Sequence, residues 1–417
     1  MLRSQTSRAM LLAALTGTAC VPSMVSAAFL EGSKATLEMR NFYFNRDFRQ
    51  PTATQNHAAE WAQGFRFKYE SGFTEGVVGF GLDAIGLWGI KLDSGRGRSG
   101  TGLLHTSNDG KVQDDYGRWG VTAKMRFSKT EARHGTLMPL LPSVWSSDLR
   151  LLPQTFRGTM LTSKEIEGLD INLGRLTLVN QRNSSASEKI SMTNKGVTGA
   201  NDTDRFYFAS ATYQPIKDLT LGYHYSDLHN NYHQHFFTLL NVLPVTDNQS
   251  LKTDIRVARS LHNGSTNVDN WMMGAMLTYR IGGHSLGTGF QKMTGKTGFA
   301  YINGSNPYLV NFIQINDFSN PDERSWQLRY DYNFAAIGLP GLTFMSRYAK
   351  GWDFRRTVNG RSNGTEWERD TDIAYVFQSG PLRNLGLQWR NATARSNGTG
   401  NDIDENRFIV NYTLPLL

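Results

Sequence analysis

Along residues 324–334 one parity carries Arg324, Trp326, Leu328, Tyr330, Tyr332 and Phe334, and the other Ser325, Gln327, Arg329, Asp331 and Asn333. Successive side chains on a strand point to opposite faces, so this period of two predicts a strand with one apolar and one wet face. The pattern recurs. Trp271, Met273, Ala275, Leu277, Tyr279 and Ile281 alternate with a set ending in Thr278 and Arg280, and Trp119, Val121, Ala123, Met125 and Phe127 alternate with Thr122, Lys124 and Arg126. Near the end of the chain, Phe408, Val410, Tyr412 and Leu414 oppose Arg407 and Asn411.

Short connections at residues 215–218, 282–284, 335–341 and 379–384 are interspersed with long stretches rich in Gly, Asn and Ser. Two-faced strands joined alternately by short turns and long loops predict an all-β fold, a transmembrane antiparallel β-barrel. Segments of about ten residues laid between these connections give about 18 strands. Weak segments near Glu131, Ile166 and Phe206, placed partly by spacing, leave 16 open.

Two connections differ from the rest. Residues 137–157 combine Pro139, Pro142 and Pro153 with Leu137, Leu140, Leu141, Val144, Trp145, Leu149, Leu151 and Leu152, too apolar for a loop in water. Residues 299–318 have the same character, with Tyr301, Pro307, Tyr308, Leu309, Val310, Phe312 and Ile313. Both are expected to fold into the barrel and narrow it; the competing reading packs them at a membrane or subunit rim.

The first 27 residues predict a secretory signal: Arg3 and Arg8, an apolar core at residues 10–15, and the small-residue site Val25-Ser26-Ala27. A mature chain of residues 28–417 is then a single barrel domain starting at Ala28 or Phe29. Removing the two signal arginines from 44 Lys+Arg leaves 42 against 36 Asp+Glu, a mature balance of +6. Export and this balance favour anionic ligands or lipopolysaccharide over nucleic acid. The only cysteine, Cys20, lies in the signal, with Gly17 where a lipoprotein site wants Leu, so no disulfide or Cys ligand is expected. After the signal no apolar run reaches the roughly 18 residues of a spanning helix, and the longest, residues 76–90, is broken by Asp83. With 12% aromatics and 41 Gly, the composition suits strands half in water and girdled by aromatics.

Several long strings resemble one family: LEMRNFYFNRDFRQ (37–50), GFGLDAIGLWGIKLDSG (79–95), LLPQTFRG (151–158), TYRIGGHSLG (278–287), YINGSNPYLVN (301–311), ERSWQLRYDYNFAAIGLPGLTFMSRY (323–348), EWERDTDIAYVFQSGPLRNLGLQWRNAT (366–393) and DIDENRFIVNYTLP (402–415). Together they are similar to the OprD-type outer-membrane carboxylate channels of pseudomonads, in order and across the mature chain. The resemblance implies an 18-stranded barrel in the outer membrane of a Gram-negative bacterium, an eyelet of inward loops and a basic row on the lumen wall. It also implies delivery by the barrel assembly machinery, outer-membrane lipid as surroundings and a weak homotrimer. The chain ends in Leu416-Leu417 rather than the family's usual aromatic, which bears on assembly.

Independently of the family, the alternation assigns to the lumen Arg66, Lys68, Lys124, Arg126, Lys252, Arg256, Arg280, Arg329, Arg347 and Arg390. A planar guanidinium matches both oxygens of a carboxylate and keeps its charge at pH 7. Moderate sites in series hand an anion on where one strong site would hold it. The competing reading is the ordinary polarity of any porin lumen. Asp148 and Tyr308, in the two inward loops, are candidates for the constriction. Asp148 would favour substrates with a cation or hydroxyl beside the carboxylate; it is equally readable as a turn residue.

Other motifs carry less. Gly283-His284-Ser285-Leu286-Gly287 matches a hydrolase elbow but precedes another alternating strand rather than a helix. Residues 95–100, GRGRSG, match a dinucleotide fingerprint with no following helix, and Gly295-Lys296-Thr297 lacks the P-loop's upstream glycine, the position being Phe290. His224, His229, His233 and His235 read as a solvated rim straddling a loop rather than a metal site. No cofactor, metal or catalytic set is expected. A membrane hydrolase would need a converging Ser/His/acid set. A purely structural barrel would fill its lumen, which about 18 strands make too wide to fill with side chains. The selective channel for passive uptake of small carboxylates remains, with amino-acid-like or cyclic acids as cargo and the fairly short mature chain leaning to the cyclic class.

Overall fold

The computed structural model describes residues 31–51, 53–107, 109–355, 363–400 and 402–417. The signal-peptide reading falls on residues outside these. Eighteen strands form one closed antiparallel sheet: β1 (Lys34–Phe48), β2 (His57–Glu70), β3 (Val78–Asp93), β4 (Asp115–Phe127), β5 (Thr130–Leu137), β8 (Thr155–Ser163), β9 (Leu169–Asn180), β10 (Phe206–Ile216), β11 (Leu219–Leu228), β12 (Tyr232–Thr246), β13 (Gln249–His262), β14 (Asp269–Ile281), β15 (His284–Gly295), β16 (Arg324–Asn333), β17 (Leu342–Phe354), β18 (Gly364–Val376), β19 (Gly386–Ser396) and β20 (Ile403–Pro415). Two-residue strands β6 (Leu140–Leu141) and β7 (Val144–Trp145) form a separate hairpin in the loop after β5.

Every strand pairs with its sequence neighbours, and β20 closes onto β1 with Tyr43 opposite Phe408. Closure leaves no open edge, as a sheet surrounded by hydrocarbon requires. No helix among the described residues is long and apolar enough to cross a membrane; the strands do so. The strand count is 18 rather than 16. Glu131 and Phe206 do lie in strands, whereas Ile166 sits in the exposed turn between β8 and β9.

The predicted parity holds. Trp119, Val121, Met125 and Phe127 of β4 face outward, with Trp119 74% exposed, while Thr122 and Lys124 are buried inside. Strand ends and both described termini meet the short turns at one rim, periplasmic by the usual asymmetry, and the long loops leave the other.

The inside is less simple than a wet wall. Residues 138–154 turn into the barrel, burying Val144, Leu151 and Leu152. Leu151 sits on Gly64 of β2 so closely that a Cβ there would lie 3.0 Å from its Cγ. Residues 296–323 cross from the other side, burying Phe299, Ile302, Leu309, Ile313 and Phe318. Residues 94–107, 109–114 and 181–205 also fold inward, through Leu103, Leu104 and Val112 and through Ile190, Met192 and Val197. These two were not foreseen, because a few apolar residues are diluted there by Gly, Asn and Ser. Inward-facing Phe42, Phe44, Leu87 and Ile409 pack against the loops, so several strands are apolar on both faces.

Candidate functional site

Three features define the lumen: a junction of two inward loops, a cluster of guanidiniums on the wall beside it, and charged cavities toward the periplasmic rim.

At the junction the ring of Tyr308 stacks on Trp145 at 5.3 Å and 20°, and the Arg256 guanidinium lies 3.9 Å from its centroid. Tyr308 holds φ 53, a left-handed conformation costly for an aromatic residue, and Arg256 donates to its carbonyl at 3.1 Å. Asp148 is clamped between Arg66, at 2.6 Å, and Arg40, at 3.2 Å. Arg66 also donates to the Leu151 carbonyl at 2.6 Å and Arg40 to that of Arg150 at 2.7 Å. Burial acts to raise the Asp148 pKa, but Arg66 and then Arg40 outweigh it and hold the carboxyl below its ordinary value. Asp148 is therefore a clip fastening the loop to β1 and β2, its half-exposed carboxylate already paired with two arginines.

Next to this clip, Arg46, Arg150 and Arg407 surround the buried ring of Phe44 at 4.9, 5.3 and 4.5 Å. Glu405 accepts from Arg46 at 2.9 Å and from Gln314 of the second loop at 2.8 Å, and also pairs with Arg407. Burial, followed by repulsion from Arg407, Arg182 and Arg46, pushes the Arg150 pKa well down. Arg46, Arg150 and Arg407 thus crowd one carboxylate, with Arg182 beside Arg150. Sequence reasoning did not single out Arg40, Arg46, Arg150, Arg182 or Arg407. Arg46 and Arg407 share an inward parity with apolar Phe42, Phe44 and Ile409, and that hid them.

A cavity of about 760 Å³ is lined by Lys252, Arg256, Arg280, Arg329 and Arg347 and roofed by Val310 and Phe312. The expected bare row is instead mostly a row of ion pairs: Arg256 with Asp254 at 2.6 Å, Arg329 with Asp331 at 2.7 Å, Arg347 with Asp370 at 2.6 Å and Arg390 with Asp372 at 2.9 Å. Of these ladder residues only Lys252 and Arg280 have no carboxylate within ion-pair distance among the described residues. The signal was in the sequence, since Asp254 and Arg256, or Arg329 and Asp331, two apart on a strand, must share a face. One inward face of β18 reads Glu366, Glu368, Asp370 and Asp372. Glu368 accepts from the Ile315 and Asn316 amides at 2.8 and 2.7 Å, anchoring the second loop.

Across the barrel a cavity of about 540 Å³ holds Lys68 and Arg126 beneath residues 137–140. Lys68 pairs with Glu70 at 2.6 Å, and Arg126 lies 4.2 Å from the Phe73 ring. Lys124 is a correction: it is buried, paired with Asp83 at 2.6 Å and bonded to the Ser71 carbonyl at 2.7 Å, so it braces the wall and lines no path. The histidine rim is corrected too. His224 is buried on the inward face of β11, whereas His233 and His235 lie on the other parity of β12; among the described residues no His/Cys/Asp/Glu group could hold a metal. The hairpin carrying Gly283–Gly287 runs from β14 into β15, with no helix behind Ser285.

A closed barrel narrowed by its own loops and lined by charge is a porin, a passive channel rather than an enzyme. The model of the outer membrane porin OprD family matches residues 27–416. The chain belongs to that family and is a substrate-specific channel of the outer membrane of Gram-negative bacteria. It is 38% identical to the porin-like protein GalP of Pseudomonas putida, with 94% of each chain covered. Among solved structures, OpdQ of Pseudomonas aeruginosa is 55% identical at a TM-score of 0.86, covering 94% of this chain and all of that one. OpdK of the same organism, solved with vanillate, is 38% identical at a TM-score of 0.86, covering 93% of this chain and all of that one.

Proposed function

We propose that this channel takes up small carboxylate-bearing nutrients, with cyclic acids favoured over amino-acid-like ones. The carrying observation is the cluster of Arg46, Arg150 and Arg182 beside the loop junction, backed by the buried Arg407, where guanidiniums outnumber the single carboxylate Glu405. From there the anion passes to Lys252 and Arg280 and along the paired arginines Arg256, Arg329, Arg347 and Arg390. Arg66, Lys68 and Arg126 belong to the opposite wall of the same path. Pairing serves conduction: a half-neutralised guanidinium attracts a carboxylate without trapping it. The stacked Trp145 and Tyr308 give a flat surface against which a ring can slide, and a ring-bearing acid as cargo is supported by the vanillate with which the OpdK relative was solved. Reversal potentials in planar bilayers test the reading, with benzoate, vanillate and glutamate as anions and benzylamine as the cationic control. An anion preference with benzoate and vanillate ahead of glutamate is expected; equal passage of benzylamine and benzoate would overturn it.

A further inference from the structure

The outer wall carries a charge pattern that conduction does not use. On β15 to β18 the outward parity holds Phe290 and Lys292, then Arg324 and Trp326, then Tyr348 and Lys350, then Trp367 and Arg369. The aromatic rings form a continuous row, with Phe290 opposite Trp326 in register, Trp326 5.7 Å from Tyr348, and Tyr348 stacked on Trp367 at 5.9 Å and 25°.

The four cations lie at one height. Lys292 stands eight residues from the periplasmic end of its strand at His284, Arg324 nine from Asn333, Lys350 eight from Leu342 and Arg369 seven from Val376. At about 3.3 Å per residue and a tilt of about 40°, that is roughly 18–23 Å above the periplasmic rim. The apolar band of such a barrel is about 25 Å tall, so the cations stand at its outer edge, where long side chains reach the head groups.

They are also short of partners. Arg324 pairs with Asp353 at 3.4 Å and Arg369 donates to the Asn391 amide oxygen at 3.3 Å. Lys292, Lys350 and Arg369 have no carboxylate within ion-pair distance among the described residues, although elsewhere on this rim Arg259 pairs with Asp269 and Arg395 with Asp404.

We propose that this face of β15–β18 binds the phosphate groups of lipopolysaccharide in the outer leaflet. Four cations against the single Asp353 match a phosphorylated glycolipid head, and the aromatic row, one step below the cations on β15, β16 and β17 and one step above Arg369 on β18, meets the interface beside them. A two-fold contact with a second copy is the poorer occupant, because it would set this basic patch against itself, and a three-fold contact is separated from lipid binding by the self-association readout below.

The test titrates the detergent-solubilised, delipidated full barrel with bisphosphorylated lipid A and with the same glycolipid stripped of phosphate, reading bound lipid by native mass spectrometry. The parent should prefer the phosphorylated form by at least about tenfold, given several cations each acting on an anionic head. The triple variant Lys292→Gln, Lys350→Gln, Arg369→Gln should lose that preference while keeping parental single-channel conductance, because none of the three faces the lumen. The charge-conserving set Lys292→Arg, Lys350→Arg, Arg369→Lys should retain it. Equal binding of both glycolipids by the parent would overturn the proposal, a result that needs no variant to fold. So would an unchanged preference in the glutamine variant, or a glutamine variant that loses only self-association.

Discussion

Replacing Lys252 and Arg280 by Gln separates attraction by the wall from mere polarity, because these two cations line the 760 Å³ cavity without an acidic partner. Removing them strands no carboxylate. In a water-filled lumen a unit charge about 4 Å from a carboxylate is worth about 1 kcal/mol. Two such contacts total about 2 kcal/mol, and 1.4 kcal/mol is a factor of ten, so benzoate flux through the double variant should fall about ten- to thirtyfold at low salt. Arg329→Gln with Arg390→Gln provides the contrast. It leaves the charges of Asp331 and Asp372 without a cationic partner, Asp372 keeping only the neutral donor Gln388, and so adds repulsion to lost attraction, which should lower anion flux further and move selectivity toward cations. Both effects should shrink in 1 M salt, where the screening length is about 3 Å. The assay is benzoate current through single channels at 0.01 M and 1 M salt, with heat-modifiability on gels as the check on folding. If the Lys252/Arg280 variant conducts benzoate at the parental rate in low salt, those cations are ordinary wall residues and the proposed pathway fails.

Asp148→Asn should loosen the first loop, because two arginines lose their shared anion; noisier openings at pH 7 are expected, and quiet parental traces would refute the clip. The Asp148 pKa is depressed in the folded protein, so its stabilisation is present at neutral pH and is lost as pH falls through the folded value below 3.8. The parent should accordingly become noisy only below about pH 4, with the asparagine variant insensitive to that change. Deleting residues 140–150 removes the β6–β7 hairpin together with Asp148 and Arg150, and should raise conductance and blur selectivity in the same bilayer assay. Intact-mass measurement of the purified chain should give an N-terminus at Ala28 or Phe29.

The barrel was legible in the sequence because its cause is local. A strand between lipid and water must alternate, and Trp271 to Ile281 or Trp326 to Phe334 display that alternation without reference to any distant residue. Both apolar loops were legible for a similar reason, since residues such as Leu151, Leu152, Leu309 and Ile313 cannot stay in water. What the loops dock against was not. Phe42, Phe44 and Ile409 can be apolar on the inward face because Leu103 and Leu104 of one loop and Leu151 and Leu152 of another cover them, contacts between distant parts of the chain that no period reports. The same holds for charge: parity placed Arg256, Arg329, Arg347 and Arg390 on the lumen wall, but whether each meets Asp254, Asp331, Asp370 or Asp372 depends on register and rotamer. Lys124 shows the limit most plainly. Its parity is inward as expected, yet the fold sets Asp83 and the Ser71 carbonyl around it, so the charge holds the wall together instead of facing the pore. Local chemistry determined which face each side chain takes, and only the closed barrel decided which of those charges is left for an ion to meet.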